Sequence, residues 1–385
     1  MTVFADRVTE VGPAAPFLIS KLVTEARADG VDVIDLGVGQ PDFPVPENII
    51  EASHDALDAG QTGYTASKGI PALRSAAADY LNRRHRLAYD PEHIIATPGG
   101  KHALYVTIQS LVERGDEVIL LNPSWSSYDP MVTLAGGRSS HVDLTPYDFR
   151  LEPAIDDVAE AVTNDTAMIL VNSPSNPSGR VFTDEALRGV RDIAVDHDIS
   201  VISDEIYKEF IYEGGQQSLA AYDGMFERTI TINGVSKAFC MTGYRLGFLA
   251  APSEIIEQVG KAHVHSVSCA SSISQHAGVE ALLNTDVDEH IGEMMQVYER
   301  RRDAFVETCA DIDVEVPLPE GAFYAMLPVA ADDDMQWAKE AVRKAGVGTV
   351  PGSAFFSPGF VRVALTQSEE LLVEAVDRLS SAGML

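Results

Sequence analysis

The sequence predicts an α/β protein, and three observations lead to that fold class. Short apolar runs rich in β-branched residues, such as Thr229 to Ile232, have the length and composition of buried strands. Segments with helix signals separate these runs, and Pro71, for example, suits the first turn of a helix predicted to end near Arg84. Glycine-rich or polar motifs follow several strand ends, where α/β proteins bind ligands.

The elements follow in order from local signals along the chain. An amphipathic helix is predicted from Ala14 to Ala28, with Gly30 as its stop signal. Two longer helical segments are predicted, from Ser253 to Leu283 and from Asp286 to Asp311. Besides the strand that ends at Ile232, the predicted strands are Val31–Leu36, Ile94–Thr97, Glu117–Leu121, Ala167–Val171, Ser200–Ser203 and Phe360–Leu365.

Two turns that contain glycine follow predicted strands. The Gly-x-Gly at 37–39 invites a dinucleotide-binding interpretation, but Pro41 stands where the helix should open and no third glycine follows. A plain tight turn is the alternative. The Pro-Gly-Gly-Lys turn at 98–101 opens a helix, and free N–H groups at a helix N-terminus bind phosphate that glycines allow to come close.

Three side chains at strands carry chemistry of their own. Trp125, after a strand end and a proline, suits the edge of a site, with a core tryptophan as the alternative. Asp204 ends a buried strand, which is costly unless it meets a positive partner; a salt-bridged strand cap is the alternative. Alternation places Arg362 on the opposite face to its valine neighbours, where it needs an anion, unless this is an exposed edge strand.

The stretch at 234–247 contains a lysine just past a strand end, flanked by small residues, and an arginine eight residues later. Lys237 can serve as a Schiff-base amine if its pKa is lowered, and Arg245 suits a phosphate. Together they suggest a carbonyl cofactor that carries a phosphate, which is pyridoxal phosphate. A surface lysine and a helix-capping arginine are the alternative.

Taken together, these motifs resemble the class I/II aminotransferases of pyridoxal-phosphate fold type I, the aspartate aminotransferase superfamily. The resemblance covers nearly the whole chain from Gly37 onward, in family order. It rests on G-x-P-D-F at 39–43, Y-x-x-x-x-G-x-x-x-L-R at 64–74, N-x-P-x-N-P-[ST]-G at 172–179, G-x-S-K at 234–237 and P-x-G-[AT]-F-[YF] at 319–324. Gly234 replaces a serine that some members use as a phosphate ligand, which places more of the anchoring on Arg245.

The resemblance implies roles for individual residues. Lys237, Asp204 and Tyr207 are the implied catalytic residues: the lysine links to the cofactor and acts as general base, the aspartate pairs with the ring nitrogen, and the tyrosine faces the ring oxygen. The other implied cofactor-binding residues are Gly99, Gly100, Lys101, Trp125, Asn176, Ser236, Arg245 and, reaching across a dimer, Tyr64. The implied substrate-binding residues are Gly39, Trp125, Asn176 and Arg362, and no metal is implied.

The resemblance also implies an architecture and an activity. A large α/β/α domain with a mostly parallel sheet is expected over residues 46–283, and a smaller α+β domain over 1–45 together with 284–385. A homodimer with shared active sites is expected to move an amino group from an L-amino acid to a 2-oxo acid by a ping-pong mechanism. Lys101 favours aspartate as donor, although Pro16 and Phe17 stand where some aspartate-using relatives offer a hydroxyl.

Several alternatives to aspartate transamination stay open at this point. An aromatic or alanine donor fits the same motifs, and so does a C–S lyase or decarboxylase on the same scaffold. A ligand-sensing module without catalysis is disfavoured because Lys237, Asp204, Arg245 and Arg362 are all present.

The amino-acid composition limits which classes of partner and which cellular compartment are expected. The 385 residues include 28 Lys+Arg against 58 Asp+Glu, a formal net charge of −30 that argues against nucleic acid and anionic membranes as partners. The acidic residues are spread along the chain, which leads to the hypothesis of a salt-rich cytosol. Three widely spaced cysteines predict neither disulfides nor a zinc site. The N-terminus has no leader pattern, so a soluble cytoplasmic protein is expected.

Overall fold

The computed structural model describes residues 4–13, 15–284 and 286–385. The strands are β1 (Ile34–Asp35), β2 (Ile94–Thr97), β3 (Glu117–Asn122), β4 (Arg138–Asp143), β5 (Thr166–Asn172), β6 (Ser200–Asp204), β7 (Thr229–Gly234), β8 (Gly247–Ala250), β9 (Tyr324–Pro328), β10 (Val347–Gly348), β11 (Val350–Pro351) and β12 (Phe360–Ala364). The α-helices are α1 (Asp6–Thr9), α2 (Ala15–Ala28), α3 (Glu47–Asp58), α4 (Pro71–His85), α5 (Gly100–Leu111), α6 (Tyr128–Ala135), α7 (Ile155–Glu160), α8 (Asp184–Asp196), α9 (Ser253–Val267), α10 (Ser272–Leu283), α11 (Asp286–Ala310), α12 (Asp334–Glu340) and α13 (Glu369–Ser381).

A seven-stranded sheet forms the centre, in the order β2-β8-β7-β6-β5-β3-β4. Its strands pair in parallel except β8, which runs antiparallel to both of its neighbours. Successive residues of one strand enter cores on opposite faces: Ile169 packs in the cluster with α8, and Leu170 packs in the cluster with α5. Helices therefore cover both faces, which explains why the strands are apolar throughout. The predicted α/β class with a mostly parallel sheet is confirmed.

The carboxyl edge of this sheet brings polar residues side by side. Asn172 ends β5 directly beside Asp204, which ends β6, and Asp204 is in register with Ile232 of β7. The loop after β7 leads to Lys237 within a few residues. Because the carboxyl ends of parallel strands meet at one edge, residues far apart in sequence converge there.

A second core joins the two ends of the chain. Strands β11, β12 and β9 form an antiparallel sheet, and β1 pairs with β10. Ile19 and Val23 of α2 share one apolar cluster with Phe305 of α11 and Leu372 of α13. This core contains segments from both ends of the chain, as expected for the smaller domain. The domain boundaries at 45/46 and 283/284 stay a prediction.

Two predicted elements differ from the structure in extent. The strand expected over 31–36 is reduced to Ile34–Asp35, because only two residues pair with β10. The helix expected over 253–283 breaks into α9 and α10 where Ser268 adopts φ +66° and Ser271 caps α10 by accepting a hydrogen bond from the backbone N–H of Ser274. Ala14, the predicted first residue of α2, lies outside the described residues. Within the described ranges, no helix is long and apolar enough to span a bilayer.

Candidate active site

A cavity of about 550 Å³ opens where β5 and β6 end. Asn172 and Asp204, the last residues of those strands, form part of its wall. Loops near the central sheet supply more of the wall, and residues from both ends of the chain, such as Phe17 and Arg362, complete it. The predicted site residues that line it are Gly39, Gly100, Lys101, Trp125, Asn176, Asp204, Tyr207, Ser236, Lys237, Arg245 and Arg362.

Lys237 extends from the loop after β7 into this cavity. Its Nζ donates a hydrogen bond of 2.6 Å to the backbone oxygen of Gly39. Burial, followed by the charges of Arg362 and Arg245, lowers the pKa of Lys237 to about 8, whereas Asp204 opposes that shift. The amine therefore loses its proton much more readily than a surface lysine and can act as a nucleophile or base.

Asp204 is 4% exposed, and the charge of Lys237 acts on it without forming an ion pair. Its Oδ2 accepts a hydrogen bond of 2.7 Å from Tyr128, and its Oδ1 accepts one from the backbone of Ile206. In the part of the chain that the structure describes, no lysine, arginine or histidine forms an ion pair with it. Burial raises the pKa of Asp204 to about 6, although both hydrogen bonds oppose that shift. A cationic group in the cavity would stabilise this carboxylate.

Arg362 lies in β12 and is also buried, and two of its three guanidinium nitrogens donate hydrogen bonds. Its Nη2 donates to the oxygen of Gly37 at 2.6 Å, and its Nη1 donates to Oδ1 of Asn176 at 3.1 Å. Among the residues that the structure describes, its Nε has no hydrogen-bond partner. The guanidinium carbon lies over the ring of Tyr324, 4.6 Å from its centroid. A held guanidinium with a free buried donor is suited to an anion such as a carboxylate.

An anion cradle forms where α5 begins. Gly99 adopts φ +83° as the residue before α5, and the first backbone N–H groups of that helix are free to bind an anion. A Cβ at Gly99 would lie 2.4 Å from Nη2 of Arg245, so only glycine lets the arginine come this close. Arg245 is held by a 2.9 Å bond from Nη1 to the oxygen of Thr242, and Ser236 lines the same end of the cavity.

Trp125 forms a flat wall of the cavity. The Nζ of Lys101 lies 4.7 Å from its ring centroid, and Tyr128 packs edge-on against it at 5.3 Å. Burial, and then the charge of Arg245, lower the pKa of Lys101 below its ordinary value. This side of the cavity therefore presents the flat indole ring of Trp125 and the ammonium group of Lys101.

One predicted site residue lies elsewhere in the single chain. Tyr64 is 94% exposed and does not line the cavity. The segment around it is held in place, because Gln275 donates to Thr65 and accepts from the backbone of Ile70. The proposed role of Tyr64 required a partner chain, and it stays a prediction.

The structure also places residues in the site that the motifs did not assign. Tyr128 bonds to Asp204, Tyr324 bonds to Tyr207, and Asn172 lines the cavity beside them. Tyr324 is the last residue of the P-x-G-[AT]-F-[YF] match, so its motif was recognised without a role for the side chain. Tyr128 follows Trp125 by three residues, which is the spacing of one helical turn after a strand end.

Comparisons with known proteins agree with this geometry. The family model described as "Aminotransferase class I and II" matches residues 31–379. An aspartate/prephenate aminotransferase of Thermus thermophilus is 38% identical over 378 residues, which is 97% of each chain. An aspartate aminotransferase of Pyrococcus abyssi is also 38% identical, over 97% of each chain. The structure of a T. thermophilus aspartate aminotransferase with maleate matches with a TM-score of 0.95 and 37% identity, covering 99% of this chain and all of that one.

Proposed function

The chain belongs to the class I and II aminotransferases, and from that membership we propose that it moves the amino group of an aspartate-like L-amino acid to a 2-oxo acid such as 2-oxoglutarate. It is an enzyme of the pyridoxal-phosphate-dependent family, as expected from its motifs. The observation that carries the proposed chemistry is one cavity lined by a lysine of lowered pKa, a buried aspartate that forms no ion pair among the described residues, and an arginine with a donor left free by those residues.

The residues present fit pyridoxal phosphate. When bound, that cofactor supplies an aldehyde and a protonated pyridine ring that withdraws electrons from the substrate's α-carbon. Lys237 is the amine that would hold the aldehyde carbon, and the unpaired carboxylate of Asp204 would meet the ring nitrogen. The cradle at Gly99 and Arg245 would hold the phosphate, and Trp125 offers a flat face for the ring.

Each residue then has a defined task. The Nζ of Lys237 would take the proton from the substrate's α-carbon and deliver it to the former aldehyde carbon of the cofactor, a general-base and general-acid role that typically contributes roughly 10²–10⁴-fold. Arg362 and the turn at Gly39 orient the α-carboxylate. Tyr207 and Asn176 also line the cavity and would bind the ring oxygen of the cofactor.

Two features support a dicarboxylate donor. Lys101 is a cation on the Trp125 side of the cavity and is available for a second carboxylate. A related enzyme of T. thermophilus was solved with maleate, which is itself a dicarboxylate. An aromatic donor is the second candidate, because Phe17 at the cavity wall is 74% exposed and brings no hydroxyl for a distal carboxylate.

A panel of amino donors with 2-oxoglutarate tests the function. Absorption of the bound cofactor reports each half-reaction, and aspartate and glutamate are expected to react faster than alanine or phenylalanine. A preference for phenylalanine would instead support the second candidate. Pyruvate and ammonia formed without any acceptor would indicate a lyase. Borohydride reduction should attach the cofactor permanently to Lys237, and mass spectrometry should find the modification on that residue.

We propose that the active enzyme is a homodimer. A second cavity of about 650 Å³ adjoins the first and shares Lys101 and Arg245 with it. Its apolar wall, which includes Tyr105 and Met131, supports a neighbouring subunit at this side. Tyr64, which is 94% exposed on a held segment, also supports a partner chain. Sedimentation of the purified protein tests this state, and substituting Tyr64 by Phe should weaken cofactor binding.

The compartment and the salt requirement are proposed on charge and cysteine content. A net charge of −30 favours a cytoplasm rich in salt, where ions screen the repulsion. The three cysteines are free, as is usual in a reducing compartment. Activity measured from dilute buffer to molar potassium chloride should rise with salt, and full activity and stability in dilute buffer would remove the salt proposal.

A further inference from the structure

Tyr324 connects several of the proposed functional groups at the base of the cavity. Its side chain is 1% exposed, and its hydroxyl lies 2.8 Å from the hydroxyl of Tyr207. The same hydroxyl lies 3.5 Å from the backbone oxygen of Gly39. Its ring face lies 4.6 Å from the guanidinium of Arg362. Nothing in the proposed reaction has so far used this residue.

The number of available protons decides how these groups bond. A phenol carries one proton, so Tyr324 can donate either to Gly39 or to Tyr207. The oxygen of Gly39 already accepts a 2.6 Å bond from Lys237, whereas its contact with Tyr324 is at the 3.5 Å limit of a hydrogen bond. The proton of Tyr324 is therefore better used on the oxygen of Tyr207, 2.8 Å away.

We infer that Tyr324 is a positioning residue: it donates to the oxygen of Tyr207 and so directs the single proton of Tyr207 into the cavity. This inference rests on the proposed function, in which Tyr207 donates to the ring oxygen of the cofactor. A hydroxyl that accepts a hydrogen bond becomes a stronger donor, because hydrogen-bonded chains polarise one another. Tyr324 thus both orients the hydroxyl of Tyr207 and makes that hydroxyl a stronger hydrogen-bond donor.

The surroundings support this arrangement. Burial raises the pKa of Tyr324 and that of Tyr207, so both hydroxyls keep their protons in the physiological range. The charge of Arg362 acts against the shift at both hydroxyls. A Cβ at Gly39 would lie 2.3 Å from the hydroxyl of Tyr324, so glycine at this turn lets the hydroxyl come close to the backbone.

Substituting Tyr324 by Phe tests the inference, because it removes the hydroxyl and keeps the ring beneath Arg362. The matched control is Tyr212→Phe, which removes a partly buried hydroxyl that donates to the backbone oxygen of Ala322, two residues before Tyr324; Tyr212 does not line the cavity. The readout is the pH titration of the bound cofactor's absorption in the holoenzyme. We expect the midpoint of Tyr324→Phe to move upward by about half to one pH unit, the equivalent of one neutral hydrogen bond.

Steady-state kinetics give a second readout. For Tyr324→Phe, we expect kcat to fall about 3- to 10-fold, while KM for the donor stays within about twofold because the contact with Arg362 remains. A variant that lacks both the Tyr207 and the Tyr324 hydroxyls should titrate like Tyr207→Phe alone, since Tyr324 acts through Tyr207.

Three outcomes would overturn the inference. They are a Tyr324→Phe midpoint equal to that of the wild type, an equal shift in the Tyr212→Phe control, and additive shifts in the double variant. Failure of the proposed function is separate, because it would appear in the wild-type protein as absent amino transfer. Failure of this inference would appear only in the comparison between variants.

Discussion

Tyr128 donates a hydrogen bond of 2.7 Å to Oδ2 of Asp204, and both side chains are buried. Tyr128 begins α6 and Asp204 ends β6, so the bond joins two elements at the carboxyl edge of the sheet. A bond donated to a carboxylate favours its ionised form, whereas burial raises the pKa of Asp204 to about 6. Tyr128 therefore helps to keep a desolvated carboxylate charged.

Removal of this hydroxyl by Tyr128→Phe should slow catalysis. Without the bond the pKa of Asp204 rises further, so a larger fraction of the protein carries a neutral carboxyl near pH 7. Hydrogen bonds to charged groups contribute about 1.5–3 kcal/mol, so kcat should fall roughly 10-fold or more. Single-turnover absorption of the donor half-reaction between pH 6 and 9 measures this, and the deficit should shrink at high pH.

Tyr147→Phe is the matched control, because Tyr147 donates to Asp157 at 2.9 Å on the surface. That variant should behave like the wild type. Equal rates for Tyr128→Phe and the wild type at every pH would show that the bond does not tune Asp204.

The buried carboxylate should also cost stability before the cofactor binds. The pKa of Asp204 is raised from 3.8 to about 6 on folding, so its favourable contribution is complete below about pH 4 and is lost as pH rises through 6. Asp204→Asn should therefore stabilise the apoprotein at pH 8 by at most about 3 kcal/mol, with no gain near pH 4. Thermal unfolding of the apoprotein at both pH values measures the difference, and a variant less stable than the wild type at pH 8 would contradict this account.

Covalent attachment of the cofactor should follow the titration of Lys237. Its lowered pKa of about 8 means that the reactive neutral amine becomes the main form above that pH, well below the range of an ordinary lysine. The rate at which apoprotein combines with pyridoxal phosphate should rise through pH 8 and then level off. Stopped-flow absorption measures the rate, and a continued rise to pH 10 would show that the amine is not perturbed.

Local patterns in the sequence were sufficient for much of the fold. The strand predicted at Ile94–Thr97 is observed with the same bounds, since a short apolar run between turn signals has few other interpretations. The break at Ser268 could not be predicted, because neither glycine nor proline marks it. Its strain is visible only once α9 and α10 are packed.

The parts of the site that were missed depend on distant contacts. Tyr128 meets Asp204 across 76 positions, and Tyr324 meets Tyr207 across 117. These separations follow no helix or strand periodicity, so the sequence alone does not indicate the contacts. The residues meet because the fold brings distant segments together. Lys237 and Arg362 could be proposed from the sequence because one follows a strand and the other lies within a strand, in settings where a charge needs a partner.

Gly99→Ala should weaken cofactor binding. The new Cβ would lie 2.4 Å from Nη2 of Arg245, and φ +83° disfavours alanine. We expect the dissociation constant for pyridoxal phosphate to rise roughly 10- to 100-fold, the loss of one charge-assisted contact. Fluorescence titration of the apoprotein measures it. Gly243→Ala is the control in the same region, because a Cβ there meets nothing within 4 Å; equal affinity in both variants would argue against the cradle.

Lys101 should decide between acidic and neutral donors. If its ammonium binds a second carboxylate, Lys101→Ala removes one charge-assisted contact, so kcat/KM for aspartate should fall about 10- to 100-fold. The value for phenylalanine should stay within about threefold, because its ring packs against Trp125 without a cation. Both donors are compared at a cofactor concentration that fills the site, with the exposed Lys261→Ala as control. An equal loss for aspartate and phenylalanine would assign Lys101 to the phosphate alone.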